Sequence, residues 1–309
     1  MYGLGTYSIV AVDEEAGQMG VAVQSHWFCV GPIVAWAKAG VGVVATQSLA
    51  EPSYGPLGLA LLEGGKSPAE ALRALLSVDE RAELRQVAVL DRSGRVAVHT
   101  GKDCIPEAGH KVGRGYSVQA NLMSSKEVWP AMAHAFEESE GPLAHRLMAA
   151  LEAAERAGGD IRGRQSAAMV IVSTRATGNP ATDRPLDLRV DDHPDPLGEL
   201  KRLLTIHEAY EHANLGDQLL AQGRAEEAFR HYELAAQKAP HIDELFFWQG
   251  VALLNQGLIE RAKEALERAF RANPSWRSVL ASLPTALLRD REALRRALGR
   301  GASGSAGSK

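Results

Sequence analysis

What most limits the folds open to this chain is a self-similarity at a fixed interval. Gly216, Leu219, Ala228, Tyr232, Ala235 and Pro240 recur as Gly250, Leu253, Ala262, Leu266, Ala269 and Pro274, each 34 residues further on. Such a period belongs to a helix pair repeated along a stack. Small residues let the paired helices approach closely, larger ones fill the gap, and the proline ends the second helix.

The pattern closely resembles two tetratricopeptide repeats. Arrays of this kind need about three units to bury a continuous core, so Trp276–Leu298 is expected to supply a capping helix pair, or the repeats to dock on the first domain. Repeats that clamp a C-terminal carboxylate use Lys and Asn at set positions. Ala213, Asp217 and Trp248 stand there instead, and that partner mode is not expected. From Pro196 onward the pattern is wholly helical with no Gly/Ser/Pro-rich linker, which puts the domain boundary near Ile206, inside or beside a helix. The Gly/Ser-rich tail, 301–309, is expected to be disordered.

Ahead of the repeats, the periodicity changes. Thr6–Val12, Met19–Ser25 and Val41–Ser48 are short runs of apolar and β-branched residues and read as strands, the first two as a hairpin. Ser67-Pro68-Ala69-Glu70 offers an N-cap hydroxyl, a proline at the first helical position and a returning carboxylate, predicting a helix over 68–76. Strands follow at Gln86–Leu90, Arg95–His99 and Tyr116–Leu122, helices at Lys126–Glu138 and Pro142–Ala157, and strands again at Ala167–Val172 and Leu186–Val190. Runs of strands and runs of helices, rather than strict alternation, favour stacked antiparallel sheets covered by helices over a doubly wound parallel sheet.

Composition narrows the function classes. The 309 residues suffice for two domains at roughly 150 residues each. Lys plus Arg is 34 against 38 Asp plus Glu, a net charge of -4, so nothing favours binding a phosphate backbone, and no nucleic acid is expected. The apolar window 27–50 is broken by Pro32, Lys38 and glycines, too short a clean run for the roughly 20 residues of a membrane span. Two cysteines, Cys29 and Cys104, and no secretion-type start make a reducing cytoplasm the expected location.

The chemistry centres on the opening strand. Thr6 stands at its head, directly after Gly5. Were it the first residue of the chain, its α-amine, with a pKa of about 7.7 to 8, could take the proton of its own hydroxyl near neutral pH. A threonine at the head of a strand also has an ordinary reading, because β-branched residues favour strands.

Thr6-Tyr-Ser-Ile-Val-Ala, Trp36-Ala-Lys-Ala-Gly-Val-Gly, Ala45-Thr-Gln, Pro52-Ser-Tyr-Gly-Pro-Leu-Gly, His99-Thr-Gly, Gly159-Asp-Ile-Arg-Gly-Arg-Gln-Ser-Ala-Ala and Asp187-Leu-Arg-Val-Asp-Asp-His-Pro resemble, in matching order, a bacterial family called the domain of unknown function ten-twenty-eight. The likeness covers about residues 6–206. It implies membership of the N-terminal nucleophile (Ntn) hydrolase superfamily, a four-layer αββα sandwich, and amide-bond cleavage as the chemistry of its characterised members. In the family pattern the threonine often follows the initiator methionine, whereas here Met1–Gly5 precede it. Removing Met1 alone would not expose Thr6, so activity by this route requires scission of Gly5–Thr6.

An amide hydrolase also needs donors for the developing oxyanion, and Asn121 after the strand 116–120 is a candidate, although an Asn at a strand end is often a turn residue. The loop 158–166 offers Asp160, Arg162, Arg164, Gln165 and Ser166 to hold a substrate carboxylate, or local ion pairs among the same groups. His99 is expected to line the cleft. Ser25-His26 are adjacent in a strand and point to opposite faces, so they do not form a nucleophile–base pair. The cluster Asp191-Asp192-His193-Pro194-Asp195 reads as loop chemistry. His26, Cys29, His99, Cys104 and His110 lack the paired spacing of a zinc site, and no GxGxxG or P-loop fingerprint occurs, so neither metal nor cofactor is expected.

The resulting expectation is an α+β chain: an Ntn-hydrolase-like αββα domain over 1–206, an all-α repeat domain over 207–300 and a tail over 301–309. The expected function is an amidohydrolase cleaving a linear amide or peptide bond, with Thr6 as nucleophile. The alternative is an inactive sandwich acting with its repeats as a protein-interaction module. Expected partners are a small amide or peptide substrate and, through the repeats, a protein. Membrane association is not expected, and monomer and homo-oligomer both stay open.

Overall fold

The computed structural model describes residues 5–290 and residue 292. The predicted tail over 301–309 and most of 291–298 in the predicted capping pair lie outside the described residues. The chain divides into two compact units after Arg202.

In the first unit β1 (Thr6–Asp13) and β2 (Gln18–Ser25) form the predicted hairpin, with Asp13 accepting the Ala16 N–H at 2.9 Å and Gly17 at φ +64°. A short α1 (Gly31–Val34) and β3 (Ala35–Lys38) lead into β4 (Gly42–Ser48), then α2 (Tyr54–Glu63) and α3 (Pro68–Ser77). There follow β5 (Arg85–Asp91), β6 (Val96–Thr100), β7 (Gly109–Gly113), β8 (Tyr116–Asn121), α4 (Val128–Glu138), α5 (Leu143–Arg156), β9 (Ser166–Ser173), α6 (Pro180–Asp183) and β10 (Leu186–Val190).

Two antiparallel sheets result, one ordered β10-β9-β2-β1-β8-β7 and the other β3-β4-β5-β6. Their inner faces meet through Val10, Val21 and Val23 from one and Val43, Ala45 and Leu90 from the other, because alternation along each strand sends every second side chain inward. The outer face of the four-stranded sheet buries Val44, Val87 and Val89 against Leu59, Leu62, Leu72 and Leu75 of α2 and α3. Helices α4 and α5 cover the other sheet, where Tyr116 packs on Phe136 and the Tyr7 hydroxyl donates to Glu155 at 2.6 Å. The unit is therefore a four-layer αββα sandwich.

Helix α3 starts as its sequence dictates: Ser67 Oγ accepts the Glu70 N–H, and the Glu70 carboxylate accepts the Ser67 N–H at 2.8 Å. Five elements carry no readable period. Helices α1 and α6 and strand β3 have four residues each, too few to display one. Helix α2 contains Gly55, Pro56 and Gly58; a Cβ on Gly55 would lie 2.2 Å from the Trp36 ring, so close packing rather than helix propensity selects that residue. Strand β7 is bounded by Gly109 and Gly113, each pressed against an aromatic ring, Trp129 and Tyr116.

Arg85 opens β5 almost wholly buried, its Nε 2.7 Å from Asp79 Oδ2, with Tyr54 donating to the same carboxylate oxygen at 2.9 Å. Burial alone would raise the Asp79 pKa, but the bonds from Arg85, the Arg81 N–H and Tyr54 outweigh it and hold the carboxyl at about 2. A depressed carboxyl contributes stability above its unfolded pKa, near 4, and loses it as pH falls toward 2. Asp79→Asn, which leaves Arg85 with less compensation, is expected to cost about 3 kcal/mol at pH 7. In thermal unfolding the gap between variant and parent should narrow between pH 4 and 2.

In the second unit the helices are the carboxyl-terminal part of α7 (Pro196–Ala221), then α8 (Ala225–Lys238), α9 (Asp243–Asn255), α10 (Ile259–Ala272) and α11 (Trp276–Ser282). The repeat glycines sit at the close approaches: a Cβ on Gly216 would be 2.7 Å from the Tyr232 ring, and one on Gly250 2.6 Å from Leu266. Helix α11 extends the stack, with Trp276 stacked on Phe247 at 4.2 Å between ring centres.

Candidate active site at Gly5 and Thr6

Antiparallel pairing places Thr6 opposite Asn121 of β8 and Tyr7 opposite Gln24 of β2, so Ser25, which ends β2, arrives beside Thr6. Alternation points Thr6 and Ser8 toward the second sheet and Tyr7 toward the helices. Thr6 is 1% exposed. Its Oγ1 donates to the Gly5 carbonyl oxygen at 2.5 Å and lies 3.1 Å from Ser25 Oγ. Ser25 Oγ donates to the same oxygen at 2.5 Å, and Arg162 Nη2 adds a charged donor at 2.7 Å. The carbonyl preceding Thr6 is thus ringed by donors.

Arg162 is aimed by a fork on Asp160, with Nε to Oδ1 at 3.0 Å and Nη2 to Oδ2 at 2.7 Å. The Asp160 carboxylate is fully buried and also accepts the backbone N–H groups of His26 and Arg162. A planar bidentate pair fixes a guanidinium better than a lysine could be fixed.

Asn121 is present, in a different arrangement from the expected one. Its Oδ1 accepts the Gly5 N–H at 3.1 Å and its Nδ2 donates to the Thr6 carbonyl at 3.3 Å, so it grips the backbone on both sides of the Gly5–Thr6 bond. The donors on the Gly5 oxygen are Ser25 and Arg162 instead, because the β1–β8 register sets Asn121 opposite Thr6.

The other expected residues are dispersed. Arg164 lies 3.5 Å from Glu155 and 3.2 Å from Asp195, and Gln165 donates to Asp192 at 3.1 Å, so both tie the loop to its surroundings. Ser166 donates to the Trp27 carbonyl at 2.5 Å and accepts the Val30 N–H, bracing the turn after β2. His99 is not brought to Thr6. It pairs with Val87, facing away from Gln86, and its Nε2 lies 3.0 Å from the Ala82 carbonyl among α3 residues. The strand's two-residue period decides this: Thr100, not His99, shares the face that holds Gln86.

The sequence pattern set Ser25 aside with His26 as strand-end residues, and did not single out a ladder of buried glutamines. Gln47 donates to the Thr6 carbonyl at 3.2 Å and to Gln86 Oε1 at 2.7 Å; Gln119 donates to Ser8 at 2.6 Å, and Ser8 to Gln47 at 2.6 Å. Gln86 also accepts from Asn121 at 3.0 Å. The available signal was polar side chains at inward positions of otherwise apolar strands. Ser48 and Leu122, directly after Gln47 and Asn121, both have φ in the left-handed region, +69° and +57°. Such strain clusters at functional sites. Gln86→Leu removes the acceptor shared by Gln47 and Asn121 and the donor to the Gly109 and Ala120 carbonyls, so a loss of about 1–3 kcal/mol is expected. Calorimetry should register it at about 2–4 °C per kcal/mol.

Among the described residues no three His, Cys, Asp or Glu side chains converge as a metal site would, and no helix is long and apolar enough to cross a membrane.

Known proteins resemble both units. A solved structure of protein SPO2555 from Silicibacter pomeroyi is 32% identical, with a TM-score of 0.59 over 65% of this chain and 84% of that one; its description names DUF1028. The ancestral β-subunit Anbu from Yersinia bercovieri aligns over 63% of this chain and 91% of its own, at 11% identity and a TM-score of 0.32. Among curated proteins none matches. A tetratricopeptide repeat family matches residues 219–283, and the family of unknown function DUF1028 matches residues 6–200, beginning at Thr6 itself. By that match, over most of its first unit and well over half its length, the chain belongs to the DUF1028 family.

Proposed function

We propose that the first unit is an amidohydrolase of the N-terminal nucleophile type, in which scission of Gly5–Thr6 frees Thr6 to attack a linear amide. The observation that carries this reading is the Gly5 carbonyl, gripped by Ser25 and Arg162 with the Thr6 hydroxyl against it. In turnover, the Thr6 α-amine takes the hydroxyl proton as Oγ1 attacks the amide carbon. The oxyanion is held by Arg162 and Ser25, and the amine returns the proton to the leaving nitrogen. Water then attacks the ester, its proton passing to the same amine and on to Oγ1 as the ester C–O bond breaks, which frees the acyl group as an acid that ionises to the carboxylate.

Release of product from N-acyl amino acid amides and short peptides, followed against pH, tests this. Only the unprotonated amine accepts a proton, so kcat/KM is expected to rise through about pH 7.7 to 8 and then level. A rate indifferent to pH from 6 to 9 contradicts the role of the amine.

The repeats carry a second part of the reading, the binding of a protein partner. Stacked helix pairs present a concave surface suited to it. In this unit a cleft among α8, α9 and α10 is lined by Phe229 and Phe246 under the guanidinium groups of Arg261 and Arg268, 4.8 and 3.9 Å from the ring centres.

A further inference from the structure

Gly5 is held as a ligand would be, and its own geometry restricts what can take its place. Its N–H is bonded to Asn121 Oδ1, its carbonyl oxygen to Ser25 Oγ and Arg162 Nη2, and its φ is +89°. A side chain of the L configuration is strained at that φ. A Cβ there would also lie 2.5 Å from Arg162 Nη2, 2.9 Å from Arg162 Cζ and 2.9 Å from Asp160 Oδ2. Arg162 cannot swing clear without breaking its fork on the buried Asp160 and its bond to the carbonyl.

We propose that the acyl subsite of the Thr6 centre is selective for N-acylglycyl groups, –NH–CH2–C(=O)–, and that the chain's own Gly5 is its first occupant. This rests on the reading of Thr6 as nucleophile.

The two reactions share an intermediate. In self-scission Thr6 Oγ1 bonds to the Gly5 carbonyl carbon, the C–N bond to Thr6 breaks, and the hydroxyl proton passes through water to the departing nitrogen, leaving a glycyl ester on Oγ1. Water then adds to the ester and releases the Gly5 carboxylate. An external N-acylglycyl amide forms the same kind of ester with loss of its amine. The sum is amide plus water giving carboxylate and amine. The donors that steady the carbonyl in the first reaction are in place for the second, and the pocket that excludes a Cβ in one excludes it in the other.

The test compares N-acetylglycyl-7-amino-4-methylcoumarin with its N-acetyl-L-alanyl analogue. The enzyme is the full chain, and in parallel the chain released from an amino-terminal ubiquitin fusion with Thr6 first, which removes any dependence on self-scission. The expected result is a kcat/KM for the glycyl amide about 10- to 200-fold above that for the alanyl amide. Full-length Gly5→Ala should likewise be cut more slowly than the parent by intact mass. Equal turnover of both amides, abolished by Thr6→Val, overturns the glycyl selectivity and leaves the Thr6 reading standing. Turnover that survives Thr6→Val, or no turnover of either amide at millimolar concentration, overturns the Thr6 reading and the selectivity with it.

Discussion

Thr6→Val is expected to keep Met1–Gly5 attached to the chain and to lower amide turnover by about 10³-fold or more, as loss of a nucleophile does. Valine copies the shape and strand preference of threonine but removes the hydroxyl, so the β1 pairings with β2 and β8 stay intact. What disappears is Oγ1, now 2.5 Å from the Gly5 oxygen. On the proposed route, no ester would then form, the bond before residue 6 would stay uncut, and the α-amine would not be released. Thr6→Ser retains the hydroxyl and should both cut and turn over, within about tenfold of the parent. Intact mass and amine release measure the two effects. A Thr6→Val chain that loses its first five residues at the parent rate would mean that another group cuts the bond.

The second large effect is expected at Arg162. Removing one donor to an oxyanion commonly costs about 10²–10³ in kcat, and Arg162 is the charged donor on the Gly5 oxygen. Arg162→Ala should therefore slow scission and turnover by that factor. It also strips the buried Asp160 carboxylate of its cation, which destabilises the fold separately. Pairing it with Asp160→Asn separates the contributions. The double variant is expected to regain thermal stability over Arg162→Ala alone, while turnover stays depressed. Arg162→Lys, which cannot fork on Asp160, should rescue only part of the rate. Recovery of turnover along with stability in the double variant would make Arg162 a structural group alone.

Much of the framework could be read in the residues. The α3 capping box, the 34-residue spacing and the β1–β2 hairpin are local signals, each set by a few neighbours in sequence, and all appear in the structure. The order of strand and helix runs also pointed to stacked antiparallel sheets. The details of the site were less legible because they come from tertiary register. Ser25 reaches Thr6 through pairing across a hairpin, and Asp160 and Arg162 arrive from a loop more than 150 residues away. Arg164, Gln165 and Ser166 share that loop with Arg162, yet their bonds run to Asp195, Asp192 and Trp27. Composition cannot tell which of two nearby arginines turns inward. His99 shows the same limit in a strand, where a shift of one residue changes the face.

The proposed chemistry requires a threonine hydroxyl activated by its own released amine, and the amino terminus of the active material tests it most directly. Protein from the native host should be fractionated, each fraction assayed for amide turnover, and its first residues sequenced. Turnover is expected to follow chains that begin at Thr6. Active chains that still begin at Met1 or Tyr2 would contradict it.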